Sequence, residues 1–225
     1  MPSIKAGGLI LLSLTFIIYR SEAQTNNPLI NSGELIKNGL KLHDEKKYKE
    51  AIEEYLKINR SDTNYANALY ELSYSYYADS QFDKSLEYAK LGLQQFPQKY
   101  SMFSMQAANA LDDMKKSDKS LKLYDSALIL APQSYLLYFN KGIVNYKLKN
   151  YDEAKKNMQK CLLINPYYSS AHYFLGNIYL FQGNLIPALF AYKTYLLIAP
   201  SGKYYVNVIT TMGDISKYRT TYWTM

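Results

Sequence analysis

Residues 149–166 read KNYDEAKKNMQKCLLINP. The stretch holds the only cysteine of the chain, a mixture of acids and lysines, and a closing proline. It is either a reactive segment or one copy of a repeated structural unit. A similar run at 46–59, KKYKEAIEEYLKIN, favours the repeat. Ala154, the small residue that follows the charged pair, sets the register. Its counterparts Ala51, Ser85, Ser120 and Ala188 place five copies at intervals of 34, 35, 34 and 34 residues.

Other columns keep step. Three positions earlier stand Tyr48, Phe82, Tyr151 and Leu185, with Ser117 breaking the column. Twelve positions later stand Pro97, Pro132, Pro166 and Pro200. Twelve positions before the register residue, all five copies have a small side chain: Gly39, Ser73, Ala108, Gly142 and Gly176. Each copy reads as two helices that approach closely where their small residues meet. FQGN at 181–184 and LKN at 148–150 are turns between them. The proline lacks an N–H and disfavours helix at the preceding residue, so it ends the second helix. One such hairpin cannot bury its apolar stripe alone, and the copies must stack into a solenoid.

These columns resemble the tetratricopeptide repeat. Leu175, Gly176, Tyr179, Gly183, Ala188, Tyr192 and Pro200 carry the resemblance in 169–202. Gly142, Tyr151, Ala154, Cys161 and Pro166 carry it in 135–168. Gly39, Leu42, Tyr48, Ala51 and Tyr55 carry it in 32–65, where Thr63 replaces the proline. The unit at 66–100 has one extra residue, and that at 101–134 matches least, with Ser104 and Ser117 at positions usually large. The resemblance implies an all-α, right-handed α-α superhelix of about five helix-turn-helix repeats over 32–202. Residues 203–225 hold no complete unit. Tyr205, Val208, Ile209 and Met212 share helical spacing there, which predicts a capping helix laid over the fifth unit, followed by a tail.

The first residues have the layout of a cleavable export signal. Lys5 precedes an apolar run from Ala6 to Tyr19, and Ser21-Glu22-Ala23 offers small residues for cleavage after Ala23. Residues 1–23 are therefore expected to be a signal peptide and 24–31 a linker, in a periplasmic or secreted protein. The alternative is an uncleaved segment that anchors the chain to a membrane. The net charge of +7 comes from scattered lysines with no nucleic-acid motif, so nucleic acid is not an expected partner.

The chemistry of sites is sparse. Cys161 occupies a packing column and reads as a small hydrophobe. His43 and His172 lie in distant units, no metal-ligand spacing is present, and neither a metal nor a cofactor is expected. Asp112 and Asp113 are adjacent on a helix, point about 100° apart, and read as a solvated turn. The chain is not expected to be an enzyme.

Recognition remains. In the resembled family the first helices of successive units line a concave groove. The matching positions here include Tyr70, Tyr74 and Tyr77; Met105, Asn109, Asp112 and Asp113; Phe139, Ile143, Tyr146 and Lys147; and Tyr173, Asn177 and Phe181. Of these, Tyr70, Tyr74, Tyr77, Asn109, Tyr146, Tyr173 and Asn177 are the candidate partner-binding residues: aromatic rings to stack and amides to hydrogen-bond. Some family members clamp a C-terminal carboxylate with Lys, Asn and Arg on three units, and that pattern is absent. The resulting expectation is a scaffold of the bacterial envelope that binds a protein or peptide. A glycan- or cell-wall-binding module is the alternative, and self-association is a further option.

Overall fold

The computed structural model describes the backbone of residues 31–223 and the side chains of residues 31–215. The expected signal peptide and nearly all of the linker lie outside the described residues. Within them the chain is built from eleven α-helices and one 3-10 turn, without strands. Five hairpins follow in order: α1 (Ser32–Asp44) with α2 (Tyr48–Leu56), α3 (Tyr65–Ala78) with α4 (Phe82–Gln95), α5 (Tyr100–Asp113) with α6 (Ser117–Leu130), α7 (Tyr135–Lys147) with α8 (Tyr151–Ile164), and α9 (Ser169–Phe181) with α10 (Leu185–Ile198). Helix α11 (Tyr205–Trp223) closes the series. Each helix packs on the next, and the first helices α1, α3, α5 and α7 also touch one another in turn. The result is an all-α superhelix with the first helices forming one layer.

The repeat columns become packing positions. Ala51, Ser85, Ser120, Ala154 and Ala188 are fully buried, and the facing residues Gly39, Ser73, Ala108, Gly142 and Gly176 are buried with them. Ser73 Oγ donates to the Ser85 carbonyl at 2.9 Å. Ser104 and Ser120, in the least typical unit, bury hydroxyls that have no hydrogen-bond partner among the described residues. Cys161 is fully buried, and burial pushes its thiol up to about 12. It is a core residue, and the stretch that contains it is the second helix of a hairpin.

The hairpin turns share one backbone feature. Lys46, Ser80, Lys115, Lys149 and Gly183 all take a left-handed conformation, with φ of 62°, 61°, 63°, 63° and 75°. In that region Cβ crowds the following carbonyl, a cost of roughly 1–2 kcal/mol. Only the fifth turn avoids it with glycine. Lys149→Gly is expected to stabilise the chain by about 1 kcal/mol, raising Tm by about 2–4 °C in thermal denaturation. A lowered Tm would count against strain at this turn.

Helix α11 packs on α10 with a ridge that keeps Val208 and Met212 of the expected face but is rotated away from Tyr205 and Ile209. Val208 and Ile215 are buried and Met212 is partly buried, whereas Tyr205 and Ile209 are exposed. The cause lies just before the helix. Tyr204 stacks on Tyr173 with ring centres 3.9 Å apart, and its N–H donates to Tyr195 Oη at 2.7 Å. That anchor sets the rotation of α11, so the ridge Val208–Met212–Ile215 faces inward.

Candidate functional site: a groove across four hairpins

The first helices enclose a concave cavity of about 310 Å³. Tyr77 comes from α3, Asn109 and Asp112 from α5, Phe139, Asn140, Ile143 and Lys147 from α7, and Phe174 from α9; Tyr204 closes one end. The repeat explains this convergence. Residues about 34 apart hold the same place on successive parallel helices, so a column in the sequence becomes a row across the groove.

The candidate residues divide into liners and supports. Tyr77 and Asn109 line the cavity. Tyr70 is half-buried, edge-on to Phe103 and stacked with Tyr74. Tyr74 is 42% exposed and stacks on His43 at 4.6 Å. Tyr146 packs against Phe174, Tyr151 and Phe181, and Tyr173 against Tyr192, Tyr195 and Tyr204. Tyr146 and Tyr173 therefore hold up the aromatic wall rather than form its surface.

The two asparagines have a structural task. Tyr124 Oη, from α6, donates to Asn109 Oδ1, and Tyr192 Oη, from α10, donates to Asn177 Oδ1 at 2.7 Å. Each pair ties the first helix of a unit to its second. The equivalent pair in the first unit is Leu40 and Tyr55, and the buried Tyr55 hydroxyl has no hydrogen-bond partner among the described residues. Leu40→Asn is expected to supply that partner and stabilise the chain by about 1 kcal/mol. In a Tyr55→Phe background the same substitution should confer nothing, as read by urea unfolding.

Asp112 and Asp113 do not sit in a solvated turn, contrary to the expectation from their adjacency. Asp112 is only 6% exposed. Lys147 Nζ, from the next unit, reaches Asp112 Oδ2 at 2.8 Å and Asp113 Oδ1 at 3.0 Å. Ser117 Oγ donates to Asp112 Oδ1 at 2.6 Å, and Tyr77 Oη donates to Asp113. The two carboxylates point differently, as helix geometry requires, yet one lysine on a neighbouring helix meets both. Burial pushes the Asp113 carboxyl up, but the bonds from Tyr77 and Lys147 outweigh it and leave it below the usual range. Burial and the Asp113 carboxylate hold the Tyr77 phenol far above its usual value, so it remains a donor.

Four liners lay outside the groove positions expected from the sequence: Asn140, Val144, Phe174 and Tyr204. Asn140 and Phe174 occupy one repeat column, 34 residues apart and one place beyond Phe139 and Tyr173. Tyr204 belongs to no unit, and no periodicity pointed to it. Asn140 has no side-chain hydrogen bond among the described residues, so its amide is free for a guest. The histidines are engaged separately, His43 Nδ1 with Ser75 Oγ and His172 Nε2 with the Pro166 carbonyl, both at 2.8 Å. Among the described residues no group of three or more His, Cys, Asp or Glu is placed to hold a metal ion.

Residues 135–168 and 169–201 each match a family model described as tetratricopeptide repeat. Human tetratricopeptide repeat protein 6 is 24% identical over 168 residues, covering 72% of this chain and 31% of that protein. Heat shock protein STI1 of Saccharomyces cerevisiae is 30% identical over 99 residues, covering 44% of this chain and 17% of that protein. The chain thus spans about a third or less of the length of the curated relatives it matches. Among solved structures, TTC0263, a thermophilic TPR protein of Thermus thermophilus, superposes with a TM-score of 0.68 at 20% identity, over 81% of this chain and 97% of that one. MamA of Desulfovibrio magneticus superposes with a TM-score of 0.59 at 16% identity, over 77% and 98%. Residues 135–201 thus match the tetratricopeptide repeat, and at these identities the structural likeness speaks to the fold of the chain.

Proposed function

We propose that the chain is a non-catalytic protein-interaction scaffold, exported to the bacterial envelope, that holds an extended peptide segment of a partner protein in its concave groove. The observation that carries this reading is the cavity shared by α3, α5, α7 and α9, with aromatic walls and the unpaired amide of Asn140. An extended peptide offers side chains to the rings of Phe139 and Phe174 and backbone groups to the amide. Asp112, Asp113 and Lys147 form a fixed polar edge, two carboxylates on one ammonium, that orients the segment and favours a basic group at that end. The layout of residues 1–23 supports export.

The test is a crosslinking capture from the envelope fraction of the source organism, with the chain beginning at Gln24. A Phe139→Ala, Asn140→Ala, Phe174→Ala variant, shown to keep its helical content, serves as the comparison. The partner captured by the parent is expected to be lost with the variant, a drop of at least tenfold. Equal capture by both would place the contact outside the groove. Binding of purified cell-wall polysaccharide by the parent, with no protein captured, would instead favour the glycan reading, since stacked rings beside an amide also suit sugars.

A further inference from the structure

The outer face of α10 departs from its own repeat. The equivalent positions are Asp118, Lys122 and Asp125 in α6, and Asp152, Lys156 and Gln159 in α8, but Ile186, Phe190 and Lys193 in α10. Ile186 is 69% exposed and Phe190 68%; Leu197, 83% exposed, continues a column that is also apolar and exposed in α6 and α8, at Ile129 and Leu163. The i, i+4 and i+11 spacing of Ile186, Phe190 and Leu197 puts them on one side of the helix. A helix that is apolar all round is ordinarily covered all round, yet α10 is covered only on its inner side. The adjoining α11 leaves Tyr205, Val206 and Ile209 exposed at the same end. Apolar surface gathered in this way marks a docking face.

Charge identifies what covers it. Over residues 31–153, seventeen acids balance seventeen lysines and arginines. Residues 154–225 carry seven lysines and arginines and a single acid, Asp214. Lys155 and Lys156 of this stretch pair with Asp152 and Glu153, and Lys193 and Lys203 are exposed at the end that carries the apolar stripe. A second copy docked face to face would set lysine against lysine with no carboxylate from 154 to 213 to receive either. An anionic lipid surface satisfies both features, because aliphatic and aromatic side chains enter the headgroup boundary while lysines meet the phosphates.

We propose that the C-terminal end of the solenoid docks on an anionic lipid bilayer through Ile186, Phe190 and Leu197 of α10, assisted by Lys193 and Lys203. It lies on the surface without spanning it; among the described residues no helix is long and apolar enough to cross a membrane. The stripe belongs to a second helix and the groove to the first helices, so docking leaves the groove open.

The test places a polarity-sensitive dye on the full chain at Phe190→Cys, with the dye at Lys122→Cys, the equivalent outer position of α6, as control. The native Cys161 is fully buried and is spared by the label. Vesicles containing phosphatidylglycerol are expected to shift the emission at 190 to the blue, with no shift at 122 and none with phosphatidylcholine alone. Lys193→Gln with Lys203→Gln should weaken partitioning by about 25-fold, at roughly fivefold per lysine near an anionic surface. Ile186→Asp with Leu197→Asp should abolish the shift while Tm is unchanged. Four results overturn the proposal. The first is no binding to the vesicles. The second is binding with no shift at 190, in which case the apolar run 6–19 makes the attachment. The third is an equal shift with phosphatidylcholine. The fourth is a shift that arises without vesicles and grows with protein concentration, in which case a second copy covers the stripe.

Discussion

Gly176→Ala is expected to destabilise the chain by about 1–3 kcal/mol, while Gly142→Ala, in the same repeat column, is close to neutral. Both glycines lie mid-helix, where alanine alone would gain about 1 kcal/mol of helix propensity. What they face decides the outcome. A Cβ on Gly176 would stand 2.6 and 2.7 Å from two ring carbons of Tyr192. That ring is fully buried, and its hydroxyl is tied to Asn177, so it has nowhere to swing. Forcing a methyl group into such a contact moves backbone or ring, an overpacking penalty that exceeds the propensity gain. A Cβ on Gly142 would meet the Met158 Cε at 2.9 Å, the end of a flexible side chain that can yield, and the Asn157 Cβ at 3.2 Å, which asks for a shift of only a few tenths of an ångström. Urea unfolding of the two variants beside the parent checks this. Equal losses at both positions would show that the aromatic lid on Gly176 is not what forbids a side chain.

Glu71→Gln is expected to stabilise the chain at pH 8 by about 1–2 kcal/mol and to leave it unchanged near pH 4.5. Glu71, on α3, is partly buried, and no lysine or arginine is within ion-pair distance among the described residues. Burial, and secondarily the Asp44 carboxylate on α1, raise its pKa from 4.5 to about 7. The fold thus prefers the neutral acid. The stability this group contributes is fully present below about pH 4.5, declines as the pH rises, and is gone above about pH 7. The full shift would correspond to a larger figure; residual solvent contact reduces it. Glutamine mimics the neutral acid at every pH, so the variant's advantage should grow between pH 5 and 8. An advantage that does not change over that interval would sink the assignment.

Much of the fold was legible because a repeat multiplies weak evidence. One small residue says little, but Ala51, Ser85, Ser120, Ala154 and Ala188 at near-constant spacing admit few structures other than stacked hairpins. The groove was legible in part, since Tyr77, Asn109 and Phe139 follow from column and helix face. What remained hidden depends on partners far away in sequence. Asp112 is buried because Lys147, 35 residues on, and Ser117 receive it, and nothing in the pair Asp112-Asp113 announces either. Asn109 and Asn177 looked like ligand contacts because their tyrosine partners sit on the other helix of the hairpin. The face of α11 depended on Tyr204, which lies between elements where periodicity has no purchase.

The unpartnered hydroxyls of Ser104 and Ser120 have a mechanical consequence. Each buried polar group without a partner costs about 1–3 kcal/mol, and both fall in the third of five units. In an array held by nearest-neighbour contacts, that loss stays where it arises. With two such groups against the single Tyr55 hydroxyl of the first unit, the third unit is then the softest coil of a spring. Asn109 and Asp112 ride on that coil. Load applied to the ends is taken up first by a change of curvature at the centre of the trough. The width available to a guest then follows the curvature of that packed unit.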